Sequence, residues 1–286
     1  MGIDNEKKTA VALGMFDGVH LGHAKVIGAV LGSERSAVFT FAALHEHSLI
    51  QPCMNKFARL RELGIQFVYS SDFNSVKDLS AEEFVRDILV GKMNAERVAC
   101  GCDFRFAKSA SADADELRRL CERYGVEVSV VQPVTVGGEA ISSTRIRAAI
   151  RSGDIAAANT LLGYDLRYTL EVVEGAKLGR TLDFPTINQT LPETCVLPRF
   201  GVYKSSVQIG GAQYRAITNI GNKPTVSDGK RVTMETHIPG FSFDLYGQAA
   251  TVILHEFVRE ERKFASIDEL KKQIDLDIRK VFKTPR

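Results

Sequence analysis

The chain has 286 residues, 44% of them hydrophobic and 25% charged, with a net charge of +2, which is room for two domains each burying its own core. The balanced charge excludes a general pull toward nucleic acid or a membrane surface, so any anion site must be local. No stretch approaches the ~18 apolar residues of a membrane helix, Met1 to Lys8 lacks the apolar core of a secretory signal, and five scattered cysteines fit a reducing cytoplasm better than a disulfide framework.

In chain order, Val11–Gly14 reads as a short buried strand and Leu21–Leu31 as a helix. Ala37–Phe41 is a β-branched and aromatic strand, Asn55–Leu63 a helix, and Phe67–Ser70 a further strand. Ser80-Ala81-Glu82-Glu83 is a capping box opening a helix through Met93. Arg97–Gly101 is strand-like, Asp115–Tyr124 amphipathic, and Val126–Val131 a strand. Strands separated by helices predict a doubly wound parallel sheet, whose ligands bind at the carboxyl ends of the strands. Cys100 and Cys102 stand two apart, so a strand through both would point them to one face, as buried thiols or as half of a metal site.

Thr144–Ser152 and Ile155–Leu162, parted by Gly153 and Asp154, read as short helices at a joint between domains, 1–165 and 166–286. Beyond Arg167 the runs Tyr168–Val173, Val202–Ile209, Tyr214–Asn219, Val232–Ile238 and Ala250–Phe257 are β-rich and separated by turn residues, which predicts an antiparallel barrel. Ser266-Ile267-Asp268-Glu269 caps a terminal helix, with Ile267, Leu270, Ile274, Ile278 and Val281 on one face.

The first chemical motif, Phe16-Asp17-Gly18-Val19-His20-Leu21-Gly22-His23, directly follows the first strand. His20 and His23 share a face at a helix start. Gly18 and Gly22 allow close backbone approach, and the helix N-terminus favours phosphate. Ile141-Ser142-Ser143-Thr144-Arg145-Ile146-Arg147 places hydroxyls at another helix start, followed by arginines suited to a triphosphate. Two residues apart on a helix, Arg145 and Arg147 cannot both face one ligand, so only one is expected to bind. The phenylalanines of Asp103-Phe104-Arg105-Phe106 are either a stacking surface for a flat ring or ordinary core.

A second set begins with Gly175-Ala176-Lys177-Leu178-Gly179-Arg180, a basic loop suited to polyphosphate. Phe184-Pro185-Thr186 forces an extended path, on which Thr186 and Asn188 face one way as hard oxygen donors suited to Mg²⁺. In Arg231–Ile238 strand alternation puts Thr233, Glu235 and His237 opposite Val232, Met234, Thr236 and Ile238. If that polar face lines a site, Glu235 is a fit general base for an alcohol.

Phe16–His23, Asp103–Phe106 and Ser142–Arg147 together resemble the N-terminal half of bacterial bifunctional riboflavin kinase/FAD synthetases, of the nucleotidylyltransferase superfamily. Gly179-Arg180, Pro185-Thr186 with Asn188, Gly201–Tyr203, Asn219–Thr225, Glu235–Ile238, Asp244–Gly247 and Arg259–Phe264 resemble the kinase half. The resemblance implies a Rossmann-like domain followed by a β-barrel, ATP as co-substrate, and riboflavin, FMN and FAD as substrates and products. It implies that His20 and His23 handle the ATP phosphates within a frame of Gly14, Phe16, Asp17, Gly18 and Gly22. Ser142, Ser143, Thr144 and Arg145 or Arg147 would hold the triphosphate, and Asp103, Phe104 and Phe106 the flavin side. In the second half it implies ATP binding by Gly175, Lys177, Gly179, Arg180, Pro185, Thr186 and Asn188, with Thr186 and Asn188 on Mg²⁺. Glu235 would be the base, and Asn219, Gly221 and Arg259 would face the flavin.

The sequence departs from the family pattern in places. Ala42-Ala43-Leu44-His45-Glu46-His47 replaces a P-H-P segment, Ala107 and Ala112 stand near expected glycines, and Asp183 and Ile187 replace glycine and alanine. These changes define an alternative, a riboflavin kinase with impaired or lost adenylyl transfer. A third reading is a flavin- or nucleotide-binding protein on a retired scaffold. It is disfavoured by the presence of His20, His23, Thr186, Asn188 and Glu235.

Overall fold

The structure is a computed structural model that describes residues 7–42, 49–175, 184–224, 230–241 and 244–283. The chain divides into two compact units, Met1–His47 with Lys56–Ser143, and Ser48–Asn55 with Thr144–Arg286.

The first unit is built on β1 (Thr9–Leu13), α1 (Leu21–Gly28), β2 (Ser36–Phe41), α2 (Cys53–Glu62, its first three residues grouped with unit two) and β3 (Phe67–Ser71). Next come α3 (Ala81–Glu83), a π-helical segment (Phe84–Lys92) and β4 (Ala95–Gly101). The short β5 (Arg105–Phe106) and β6 (Ala112–Asp113) then pair, followed by α4 (Ala114–Glu122), β7 (Glu127–Val131), and the paired β8 (Thr135–Val136) and β9 (Glu139–Ala140). Five strands form a parallel sheet in the order β3-β2-β1-β4-β7.

Alternation along β1 divides the core. Val11 and Leu13 join Phe39, Val98, Phe84, Ile88, Leu117 and Leu120 on one face of the sheet. Ala10 and Ala12 join Phe16, Ile27, Val38, Leu60 and Ala99 on the other. Both faces are covered, which is why the strands read as continuous apolar runs. Strand order reverses direction around β1, so the crevice for a ligand lies at the carboxyl ends of β1 and β4.

The Ser80 capping box is present, with Ser80 Oγ accepting from Glu83 N and Glu83 accepting from Ser80 N. The helix it opens, expected to be α-helical through Met93, widens to π geometry, with Met93 N donating to Ile88 O five residues back. Helix α1 stops at Gly28 rather than Leu31, because Ala29 and Val30 donate three residues back and tighten the last turn. Cys102 lies in the turn beyond β4 and is exposed while Cys100 is buried, so strand alternation does not put the two on one face.

The second unit contains α5 (Ser143–Ser152), whose first residue is grouped with unit one, and α6 (Ile155–Leu162). Six strands follow: β10 (Arg167–Glu171), β11 (Thr186–Thr190), β12 (Gly201–Ile209), β13 (Ala212–Pro224), β14 (Lys230–His237) and β15 (Ala249–Arg259), and then α7 (Ile267–Lys283). They form an antiparallel sheet in the order β10-β15-β12-β13-β14-β11. A bridge from Val173 N to Asn188 O, 2.8 Å, draws its two edges together into a nearly closed barrel. Inside, the hydroxyls of Ser205, Thr218 and Thr236 form a buried chain with links of 2.8 and 2.9 Å. Each satisfies its neighbour, so polar side chains fit among Ala216, Met234 and Val252 without an unmet hydrogen bond. On the outer face Val202, Ile217 and Val281 form a small buried cluster with Ile278 of α7 packed against it.

Candidate functional site

In the first unit the loop after β1 is tightly wound. Phe16 (φ 50°) and Val19 (φ 37°) occupy left-handed backbone, with Gly18 at φ 73° between them. Phe16 is buried beneath the loop. A Cβ on Gly14, the residue after β1, would stand 3.1 Å from the Phe16 ring, a close approach that glycine avoids. Asp17 and His20 are also buried.

His20 caps α1, its Nδ1 accepting from His23 N at 3.3 Å. The two imidazoles stack with centroids 3.6 Å apart, and Phe16 meets His23 edge-on at 5.3 Å. A Cβ on Gly22 would stand 3.1 Å from the His20 ring, so glycine leaves the pair room to stack. Burial pulls His20 down to about 4, against the opposing charge of Asp103. Burial, then the charges of His20 and Lys56, hold His23 well below the usual imidazole range. Both rings are therefore neutral at pH 7, and an arriving triphosphate would favour their protonation.

The loop after β4 supplies Asp103 and the two phenylalanines. Phe106 is buried against Phe84, their centroids 5.4 Å apart, while Phe104 is half-buried and stacks on Phe106 at 5.6 Å. Phe106 is thus part of the core, and Phe104 is the ring with a face to offer. Ala107, where the family pattern has glycine, sits at φ 65°, ψ 179°, a region that is essentially glycine-only. Ser109 and Ala110 also have positive φ, whereas Ala112 lies in β6 without that strain. Ser143 Oγ donates to Asp17 O at 3.3 Å. Ser142 is half-buried in the first unit, and Thr144, Arg145 and Arg147 fall in the second.

In the second unit strand register assembles the site. Asn188 on β11 stands opposite Glu235 on β14, and Glu235 stands opposite Asn219 on β13. One step along, Thr186 faces His237, which faces Ile217. The complementary residues Val232, Met234 and Thr236 are buried on the barrel side, so Glu235 belongs to the outer face. There a cavity of about 300 Å³ lies under α7, lined by Thr186, Asn219, Glu235, His237, Arg259 and Asp277 among others. His237 Nδ1 donates to Pro185 O at 2.9 Å and holds the Phe184-Pro185-Thr186 path against the sheet. Asn188 is buried under Gly175, where a Cβ would come within 2.4 Å of its side-chain amide.

Arg259 is paired with the buried Asp277 of α7 through three contacts of 2.7–3.1 Å, and Gln273 also donates to Asp277 at 2.7 Å. Asn219 Nδ2 donates to Glu261 at 3.0 Å, and that carboxylate lies where a side chain on Gly221 would be. Glu261, Arg262 and Phe264 of the cavity wall lie in the Arg259–Phe264 segment already matched to the kinase half, whereas Asp277 was not legible as a site residue, because only α7 folding back over the sheet brings it to the cavity. Lys177, Gly179, Arg180, Asp183, Thr225 and residues 43–47 lie outside the described residues.

Thr186 and Asn188 are neutral oxygen donors, and among the described residues no cluster of three acidic, histidine or cysteine side chains offers a metal cage. That donor set fits Mg²⁺ carried in with nucleotide phosphates, which supply the charge and most of the shell.

A riboflavin kinase family model matches residues 162–284, and an FAD synthetase model matches residues 3–145. The chain is 32% identical over 292 residues to the bifunctional riboflavin kinase/FMN adenylyltransferase of Bacillus subtilis (strain 168), covering 96% of this chain and 92% of that protein. It is 34% identical over 282 residues to the protein of the same name from Escherichia coli (strain K12), covering 93% and 90%. A crystal structure titled a macrolide-efflux protein from Streptococcus pneumoniae matches with a TM-score of 0.85 at 31% identity, covering 98% of this chain and 95% of that one. Among the described residues here, no helix is long and apolar enough to cross a membrane. With both family models matched in order and relatives similar along nearly the whole length, the chain belongs to the bifunctional riboflavin kinase/FMN adenylyltransferase family.

Proposed function

We propose that this chain phosphorylates riboflavin to FMN in its C-terminal part and adenylylates FMN to FAD in its N-terminal part. The observation that carries the first step is the alignment of Asn188, Glu235 and Asn219 across three strands, with Glu235, Asn219 and Thr186 lining one cavity. Glu235 takes the proton of the ribityl hydroxyl as its oxygen forms a bond to the γ-phosphorus of ATP, and ADP leaves with the electrons of the broken P–O bond. Thr186 and Asn188 hold Mg²⁺, which when bound neutralises phosphate charge. Gly175, Lys177, Gly179 and Arg180 are assigned to ATP. Asn219, Gly221 and Arg259 border the flavin.

In the second step the nucleophile is already an anion. An FMN phosphate oxygen bonds to the α-phosphorus of ATP, and pyrophosphate leaves with the bonding pair. No base is needed, only orientation and charge stabilisation. We assign these to His20, His23 and the α1 N-terminus, with Ser143 on the triphosphate and Phe104 beside the flavin. The alternative, a kinase without adenylyl transfer, is less well supported, since the FAD synthetase model matches and the histidine pair is built. We place the functional boundary at 165/166, near the start of the kinase match at 162, and the reaction in the cytoplasm, consistent with cysteines scattered along the sequence rather than spaced as a disulfide framework.

The test is a product assay with Mg²⁺ and ATP, starting once from riboflavin and once from FMN. FAD is expected from both. FMN without FAD would establish the kinase alone, and no new flavin from folded protein would refute both assignments.

A further inference from the structure

We propose that Lys56 is a positioning residue of the adenylyl-transfer site, its buried ammonium tying together the carboxyl ends of β1 and β2 and so fixing the loop that carries the histidine pair. The proposal rests on the assignment of that loop to ATP.

Lys56 is only 4% exposed, and a buried ammonium is tolerated only when its donors are met. Its Nζ donates to Met15 O at 3.2 Å, Thr40 Oγ1 at 3.3 Å and Phe41 O at 2.5 Å. Three oxygens match the three donors of an ammonium. Thr40 Oγ1 in turn donates to Met15 O at 2.9 Å. Two bonds therefore converge on the carbonyl immediately before Phe16, where the backbone enters its left-handed turn. Strained backbone of this kind persists only when its surroundings over-determine it, and Lys56 is one of the groups that do so.

With its donors turned to the protein, Lys56 influences the site through position and charge rather than by contact with phosphate. Among the described residues, the charged and titratable groups acting on the histidine pair are Lys56 from α2, Asp103 from the loop after β4, and the two imidazoles themselves. Asp103 favours protonation of His20, whereas Lys56 opposes protonation of His23. Lys56 thereby helps keep the stacked pair neutral until a polyphosphate arrives.

The experiment uses the full chain with Lys56→Met and Lys56→Arg. Three quantities are measured: kcat and KM for FMN adenylylation, riboflavin phosphorylation by the same molecules, and the NMR titration of His20 and His23. For Lys56→Met the expected result is a fall of about tenfold or more in adenylylation kcat, unchanged kinase turnover, and His23 titrating at higher pH. Lys56→Arg, which keeps the charge, should leave the titration near wild type and recover part of the rate. Wild-type adenylylation with an unmoved His23 titration in Lys56→Met would overturn the proposal.

If Lys56→Met unfolds the first unit, Thr40→Val removes the hydroxyl link while keeping the charge. A several-fold lower adenylylation kcat at unchanged His23 titration supports the clamp, and a wild-type kcat overturns it. A wild-type chain that makes no FAD from FMN would refute the assignment of the loop to ATP. The His23 titration would still test Lys56 in that case, and no shift in Lys56→Met would overturn its role.

Discussion

On the proposed assignments, the two units prepare phosphorus chemistry in opposite ways. The first holds its histidines on a strained loop at a strand end. All six described non-glycine residues with positive φ lie in this unit, and five of them, Phe16, Val19, Ala107, Ser109 and Ala110, flank its ligand loops. The second holds Asn188, Glu235 and Asn219 on regular antiparallel strands, where register alone sets their spacing. The difference follows the nucleophile. FMN brings its own anion, so the first site needs close backbone approach and neutral donors, which loops and helix ends provide. Riboflavin brings an alcohol, so the second needs a base at a fixed place, which a rigid sheet provides.

This contrast can be broken most sharply at Glu235. Glu235→Gln should lower riboflavin phosphorylation by ~10²–10⁴-fold while adenylylation of supplied FMN continues at the wild-type rate. Loss of both activities in folded protein would mean the sites are not separate. His23→Ala should do the reverse, lowering FAD formation by roughly 10²–10³-fold with FMN formation intact, as separate assays of the two products will show.

Acid sharpens the comparison next, because the buried histidines belong to one unit only. An unfolded imidazole takes a proton near pH 6.5, whereas His20 resists protonation down to about 4. Its contribution is therefore full above pH 6.5 and lost as pH falls from there toward 4, amounting to about 3 kcal/mol. Urea unfolding followed by hydrogen exchange in β1 should show this loss, and His20→Gln should flatten it. An unaltered pH slope in that variant would refute the assignment to His20.

In the second unit Gly175→Ala drives a methyl into the Asn188 amide. It should reduce kinase kcat/KM for ATP roughly tenfold, the scale of a small misplacement, without touching adenylylation. A kinase indifferent to the change would remove Asn188 from the nucleotide site. The smallest effect is expected at Ala107→Gly, where relief of a strained φ outweighs the extra freedom of the unfolded glycine. The first unit should gain about 1 kcal/mol in denaturant unfolding, and a loss of stability would show that Ala107 is not strained.

Much of this was legible along the chain. Apolar runs alternating with amphipathic segments gave the parallel sheet, and short β-rich runs between turn residues gave the barrel, because both signals depend on local periodicity. His20 and His23 were readable as a pair for the same reason, being three apart on one helix start. The wider winding of Phe84–Lys92 was not, since Phe84, Val85, Ile88 and Leu89 stand three and four apart, a spacing that also suits an ordinary α-helix.

The sequence by itself determined an α/β part followed by an antiparallel barrel and suggested a chemistry for each motif, because residue type and spacing along one element carry that information. The tertiary structure decided which motifs meet. Glu235 reaches Asn188 and Asn219 because antiparallel register puts them opposite one another across 47 and 16 residues of chain. Asp277 borders the same cavity only because α7 closes on the barrel's outer face. Lys56 reads as one polar residue of an amphipathic helix until the fold carries its ammonium to the ends of two strands, where three backbone and hydroxyl oxygens need a donor.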